Sequence, residues 1–259
     1  MKKIFLISRS WKNKKIKLLI EEIHKELVKI IILVNFEEEL DNSTENLLKK
    51  CKNEILKKIE IVYVKPWGDA SGALNIGLNK VFTNKDEPDY ILIASPEVDL
   101  KKDDVEKMCN ILSNNPNMLV VGFALRTDID ENLEIWERGH SFDRLKSNAL
   151  RIPWNTCAMW NANLFFNNVK AFLNICDYPE ILGKQSGIEL QGMEDALAIA
   201  IAKKNNPKLE VGLIKTYLKW NIDKKNISNH KVKMKRKSLV YKRYENIFDG
   251  FPSLDVKYF

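Results

Sequence analysis

Apolar positions along this chain alternate between two rhythms. Short runs at Ile4–Ile7, Ile30–Val34, Ile61–Val64 and Tyr90–Ala94 are continuously apolar and rich in β-branched residues, the pattern of strands buried on both faces. Between them the spacing becomes helical: Ile16, Leu19, Ile20, Ile23 and Leu27 share one face, and Leu47, Leu48, Cys51 and Ile55 share another within Thr44–Lys58. Helices are also predicted over about Ser71–Phe82 and around Val105, Met108 and Leu112, followed by an apolar strand Met118–Ala124. Regularity weakens over 126–150, a polar stretch with a lone His140, which suits a long excursion lining a cleft. A strand is then predicted over Ile152–Trp160, a helix from near Asn163, a Gly-rich polar loop over Glu180–Gly192, a helix over Met193–Lys204 and a strand over Leu209–Trp220.

Strands alternating with helices predict an α/β fold whose mostly parallel sheet is wound by right-handed crossovers. In such sheets ligands bind beyond the carboxyl ends of the strands. The polar residues at those ends are Ser8-Arg9-Ser10, Asn35 with Glu37–Glu39, Gly68-Asp69, and Ser95 through Asp99. The stretch from Trp67 to Leu78 stands out among them, because it follows a strand, carries three glycines and opens a helix. Glycine lets the backbone approach a bound group, and the first amides of a helix favour an anion such as a diphosphate.

Composition narrows the field. At 259 residues and 45% hydrophobic content the chain can bury a full core. One domain over 1–223 with a basic tail over 224–259 is expected. No apolar run approaches the length of a membrane span, and the amino-terminal run turns polar at Ser8. Cys51, Cys109, Cys157 and Cys176 lie far apart in apolar surroundings, which predicts reduced core residues and a cytoplasmic setting. The net charge of +7 is concentrated between Lys224 and Arg243, which hold nine Lys/Arg and no Asp/Glu. Such a tail suits an anionic surface or a substrate diphosphate, and it places the protein peripherally at the inner membrane face if the surface is lipid. A nucleic-acid partner is not expected, because the basic run interleaves no stacking aromatics beyond Tyr241 and Tyr244.

Four segments in order resemble the nucleotide-sugar glycosyltransferases of the GT-A fold, family 2 in particular. They are the strand-helix-strand opening, the Gly68 to Leu78 turn with Ala73-Leu74-Asn75-Ile76-Gly77, the strand Tyr90–Ala94 followed by Ser95-Pro96-Glu97, and Gly192-Met193-Glu194-Asp195 opening a helix. The resemblance covers most of the chain and implies a Rossmann-like, mixed but mostly parallel sheet flanked by helices. It implies Asp195 as general base, with Glu194 orienting the acceptor or the base. Donor contacts are expected from Ser8, Arg9, Asn35, Gly68, Asp69, Asn75 and Ser95, and acceptor contacts from Trp154 and Trp160. The family's Asp-x-Asp metal position reads Ser95-Pro96-Glu97 here, so the divalent cation, Mg²⁺ or Mn²⁺, falls to Glu97 and His230 or gives way to the basic tail.

The chemistry needs these residue types. A departing nucleotide diphosphate must be charge-neutralised by a hard cation or by Lys/Arg, while a carboxylate takes the proton of the attacking hydroxyl. The expected reaction is sugar transfer from a nucleotide diphosphate sugar to a glycan, lipid-linked or small hydroxyl acceptor, by inverting displacement. A non-catalytic nucleotide-sugar or glycan binder, and a sugar-phosphate nucleotidyltransferase, are the alternatives. The nucleotidyltransferase is disfavoured because Ile7-Ser8-Arg9-Ser10-Trp11 lacks a long Gly-rich loop for a triphosphate.

Overall fold

A computed structural model describes residues 2–40, 43–126, 152–173, 194–221 and 256–259. Apart from Arg126, the expected excursion over 126–150 with His140 lies outside the described residues, as do the loop over 180–192, Cys176, His230 and the basic run over 224–243.

The strands are β1 (Ile4–Ser10), β2 (Lys29–Asn35), β3 (Ile59–Val64), β4 (Tyr90–Ala94), β5 (Met118–Arg126), β6 (Cys157–Asn161), β7 (Glu210–Lys219) and β8 (Val256–Tyr258). They form one eight-stranded sheet in the order β3-β2-β1-β4-β6-β5-β7-β8. All pairings are parallel except those of β6, which runs antiparallel between β4 and β5. The central strands are buried on both faces, as their uninterrupted apolar runs require.

The described helices are α1 (Lys15–Ile23), α2 (Ser43–Leu48), α3 (Asn53–Leu56), α4 (Ala70–Phe82), α5 (Lys102–Asn114), α6 (Ala162–Asn168) and α7 (Glu194–Asn205). In α1 the apolar stripe Ile16, Leu19, Ile20 and Ile23 is the buried face. Helix α4 is capped by Asp69, whose Oδ1 accepts from the Gly72 amide at 2.9 Å. It lies so close to the sheet that a Cβ on Gly77 would sit 2.9 Å from Ile7 Cγ2, a separation only glycine permits. The chain leaves β1 toward β2 on one side and returns through α4 to β4 on the other. Right-handed crossovers therefore set α1 and α4 on opposite faces of the sheet.

The structure differs from the expected elements in four places. The helix expected over Thr44–Lys58 is two short helices, because Cys51 closes onto Leu48 and Lys52 turns extended before α3 begins. Only 157–161 of the strand expected over Ile152–Trp160 pairs, since Cys157 N bonds Trp154 O and turns the preceding residues inward. Phe36–Leu40, polar at its centre, forms a 3-10 turn. Within the predicted tail, Val256–Tyr258 adds an edge strand to β7. Cys51 and Cys157 are buried, and Cys109 is half-buried against the core. Cys51, Cys109 and Cys157 are free thiols, with burial raising Cys109 to about 11 and Cys157 further still.

Candidate active site

The strand order creates a crevice. Because β1 connects toward β2 and β4 lies on its other side, the carboxyl ends of β1 and β4 flank the point where the winding reverses. Antiparallel β6 brings its amino end to the same rim, with Cys157 opposite Ala94. Strand β7, parallel to β5, ends there with Trp220, which bridges Val98. Helix α7 runs back along the sheet before β7, so its first residue, Glu194, also reaches this rim. Five separate segments thus converge by topology.

They enclose a cavity of about 380 Å³. One wall is Arg9 from β1 with Trp67, Gly68 and Ala70 from the turn into α4. The floor is Ile93 and Ala94, with Ser95 and Glu97 beyond them. Asn155 and Thr156 before β6, Glu194 of α7 and Trp220 complete the lining. Gly68 contributes by absence: a Cβ there would meet nothing within 4 Å, so the fold does not demand a glycine and the space remains open to the cavity.

Arg9 is held in place. Its Nη2 donates to Trp67 O at 2.6 Å and its guanidinium carbon lies 4.5 Å from the centre of the Trp67 ring. Burial lowers its pKa from the ordinary value, while the negative fields of Glu194 and Asp69 act in the opposite direction. The guanidinium remains the cationic group of a partly desolvated wall.

Three residues that line this cavity each bury a polar atom with no hydrogen-bond partner among the described residues: Arg9 Nε, Asn155 Nδ2 and Glu194 Oε2. An orphaned buried polar atom costs about 1–3 kcal/mol. Native structures satisfy such groups almost everywhere.

The neighbouring Asp195 is placed differently. It is 2% exposed, and its Oδ2 accepts from the Asn155 amide at 3.2 Å while its Oδ1 accepts from the Ala196 amide at 2.8 Å. Asp195 therefore anchors the segment that leads into β6, and Glu194 is the carboxylate that lines the cavity. Glu97 also lines it, its Oε2 accepting from Trp220 Nε1 at 3.3 Å and its backbone amide donating to Ser95 Oγ.

Of the residues singled out in the sequence, Arg9, Gly68, Ser95, Glu97 and Glu194 meet in this cavity. Ser8 is buried and donates to Ala94 O at 2.7 Å, tying β1 to β4. Asn35 is buried at the end of β2 and turns back on Glu37. Asp69 caps α4. Asn75 spends its amide on Phe172, donating to its carbonyl and accepting from its amide, both at 2.8 Å. Trp154 is 3% exposed. Trp160 is fully buried among Phe165 and Phe172 in edge-on contacts. None of these seven, counting Asp195, is in the cavity lining. His230 lies outside the described residues. Among the described residues no three Asp, Glu, His or Cys side chains form a metal-binding cluster.

Sequence reasoning assigns no role to Trp67, Asn155, Thr156 or Trp220, all of which line the cavity. Trp220 ends a strand on the carboxyl rim and could have been found by that rule. Asn155 and Thr156 could not, because their position depends on β6 being antiparallel.

No protein-family model and no curated protein matches the sequence. Solved structures do match the fold. A mannosyltransferase from Pyrobaculum calidifontis, solved with GDP-Man and Mn²⁺, is 10% identical over 96% of this chain and 70% of its own, with a TM-score of 0.56. Glucosyl-3-phosphoglycerate synthase from Mycobacterium tuberculosis, solved with Mn²⁺, UDP-Glc and phosphoglyceric acid, is 12% identical over 96% of this chain and 81% of its own, with a TM-score of 0.58. A 4-diphosphocytidyl-2C-methyl-D-erythritol synthase from Anaerococcus prevotii is 12% identical over 91% and 96%, with a TM-score of 0.51. At these identities the likeness establishes the fold: this chain is an α/β domain of GT-A type.

Proposed function

We propose that this protein transfers a sugar from a nucleotide diphosphate sugar to a hydroxyl acceptor, with the cavity at the β1–β4 crevice as its active site. The observation that carries the reading is the convergence of a fixed guanidinium, Arg9, and two carboxylates, Glu97 and Glu194, on a single cavity at the carboxyl rim of a GT-A scaffold. The two glycosyltransferases of similar fold bind nucleotide sugars, as their complexes with GDP-Man and UDP-Glc record.

The wall of Arg9, Gly68 and Ala70 suits the diphosphate. It combines a fixed guanidinium, open backbone at Gly68 and the amino-terminal turn of α4. Glu194 suits a hydroxyl, which donates to a carboxylate. In the reaction the acceptor oxygen forms a bond to the anomeric carbon as the bond from that carbon to the diphosphate oxygen breaks. Glu194 takes the acceptor's proton, and Arg9 receives the charge that develops on the leaving group. Asp195 holds the backbone of Asn155, another residue of the lining.

A divalent cation fits the remaining oxygens. Ser95 and Glu97 are hard donors on the cavity floor, and a small cation commonly uses one or two carboxylates together with substrate phosphates. When bound there it would supply further neutralisation of the diphosphate. Trp220 orients Glu97 for that role through its indole N–H.

The test is thermal stabilisation and turnover with a panel of UDP and GDP sugars, with and without Mn²⁺. Stabilisation by UDP or GDP and release of the nucleotide from a sugar donor are expected; neither with any donor removes the reading. The nucleotidyltransferase neighbour motivates a parallel assay, in which pyrophosphate released from a nucleoside triphosphate and a sugar phosphate would favour that chemistry instead.

A further inference from the structure

We propose that Lys15 is a positioning residue for Glu97, acting from the first turn of α1 through the backbone of Asn221. The assignment rests on the cation reading above and adds the remote anchor that keeps Glu97 in place.

Lys15 breaks a local rule. It is the first residue of α1, where the positive end of the helix dipole disfavours a cation, and no acidic residue in that turn offsets it. Its amide donates to Asn13 Oδ1 at 2.9 Å, which fixes the point from which the side chain departs. The ammonium then donates to Asn221 O at 3.0 Å, across 206 residues of sequence. A charge set against local preference and spent on one distant carbonyl marks a tertiary role.

The segment that Lys15 holds is the one that holds Glu97. The Asn221 amide donates to Glu97 O at 2.8 Å, and two residues on, the Asp99 amide donates to Lys219 O at 2.8 Å. Val98 and Trp220 form an antiparallel bridge between these bonds. Trp220 Nε1 donates to Glu97 Oε2 at 3.3 Å. Residues 219–221 thus fix Glu97 by its backbone and its side chain together, and Lys15 pins the last of the three. Glu97 lines the active cavity, whereas Lys15 and Asn221 line a separate cavity of about 580 Å³. The influence of Lys15 therefore runs through Asn221 to Glu97 and not through contact with substrate.

Small divalent cations hold their ligands to a strict geometry. Groups that orient a ligating carboxylate from behind typically change metal affinity by about 10–100-fold when removed.

Electron paramagnetic resonance of free Mn²⁺, titrated with protein in the presence of UDP or GDP, tests the assignment. Trp220→Phe is expected to weaken Mn²⁺ binding by about tenfold. Lys15→Met is expected to weaken it by a smaller factor, with binding of the nucleotide alone unchanged. That sign is diagnostic, because removing a positive charge by its field alone would tighten cation binding. Lys15→Arg, which keeps a cationic donor on a long arm, is expected to restore wild-type affinity. Lys15→Gln, whose arm is shorter, replaces Lys15→Met if that variant does not fold. Mn²⁺ binding by the Lys15 variants that equals or exceeds wild type, or a loss of nucleotide binding as large as the loss of Mn²⁺ binding, overturns the role of Lys15 while the cation reading stands. If wild type binds the nucleotide but no Mn²⁺, the cation reading falls and takes this assignment with it. If it binds neither, the donor reading falls as well.

Discussion

Two buried glutamates on the same rim of the sheet have opposite surroundings. Glu38, just beyond β2, is 1% exposed and fully engaged: its Oε2 accepts from Ser43 Oγ at 2.8 Å, from the Thr44 amide at 3.2 Å and from Thr44 Oγ1, and its Oε1 accepts from the Lys12 amide. Glu194, at the start of α7, is 8% exposed, yet one of its oxygens has no partner among the described residues. Burying a carboxylate is costly unless its lone pairs are met. Around Glu38 the chain meets them, so the residue welds the ends of β1 and β2 to α2. Around Glu194 one oxygen has no partner among the described residues, and on the proposed reading this carboxylate serves the acceptor. The difference separates structure from function more sharply than residue type or burial does.

The largest effect that could break this contrast is on turnover. Glu194→Gln is expected to lower the rate of sugar transfer by about 10²–10⁴-fold while leaving the thermal midpoint within a few degrees, measured by donor turnover and a melting curve. Asp195→Asn is expected to lose stability as well, since both Asp195 oxygens serve backbone amides. If Asp195→Asn abolishes transfer in a fully stable protein and Glu194→Gln does not, the two carboxylates exchange roles.

The reciprocal substitution shows next. Glu38→Gln places an –NH₂ against backbone and hydroxyl donors and is expected to cost about 2–3 kcal/mol in urea unfolding, with kcat of the folded protein unchanged. A smaller loss, about 1–2 kcal/mol, is expected for Asn75→Ala, which frees both polar groups of the Phe172 backbone; unchanged unfolding together with a raised donor KM would instead return Asn75 to the donor site. The smallest change in stability belongs to Gly68→Ala. An added methyl there meets no protein atom within 4 Å, so stability should stay within about 0.5 kcal/mol while the donor KM rises several-fold. A donor KM equal to wild type would place the diphosphate elsewhere.

Much of the fold is legible in the chain because the central strands are apolar without interruption and the helices between them keep a 3.6-residue stripe, as in Ile16, Leu19, Ile20 and Ile23. Helix α7 is the exception on packing: Ala196 to Ala200 are buried all round, so no stripe distinguishes its face and nothing local says which of Glu194 and Asp195 reaches the cavity. Part of the site is legible for the same topological reason, since Arg9 lies in the polar last residues of β1 and Gly68, Ser95 and Glu97 follow strand ends. Asn75 and Trp160 carry motif-like or sugar-compatible chemistry but are consumed by neighbours distant in sequence, Phe172 in one case and the aromatic core in the other. Asn155 is illegible locally because its placement is set by Trp160 and Asp195, five and forty residues away.

The most direct measurement is a crystal structure of the protein soaked with UDP-glucose or GDP-mannose. The diphosphate is expected against Arg9 and Gly68, with the sugar in the cavity that Glu97 and Glu194 line. Ligand density on any other face of the sheet would contradict the assignment of this crevice as the active site.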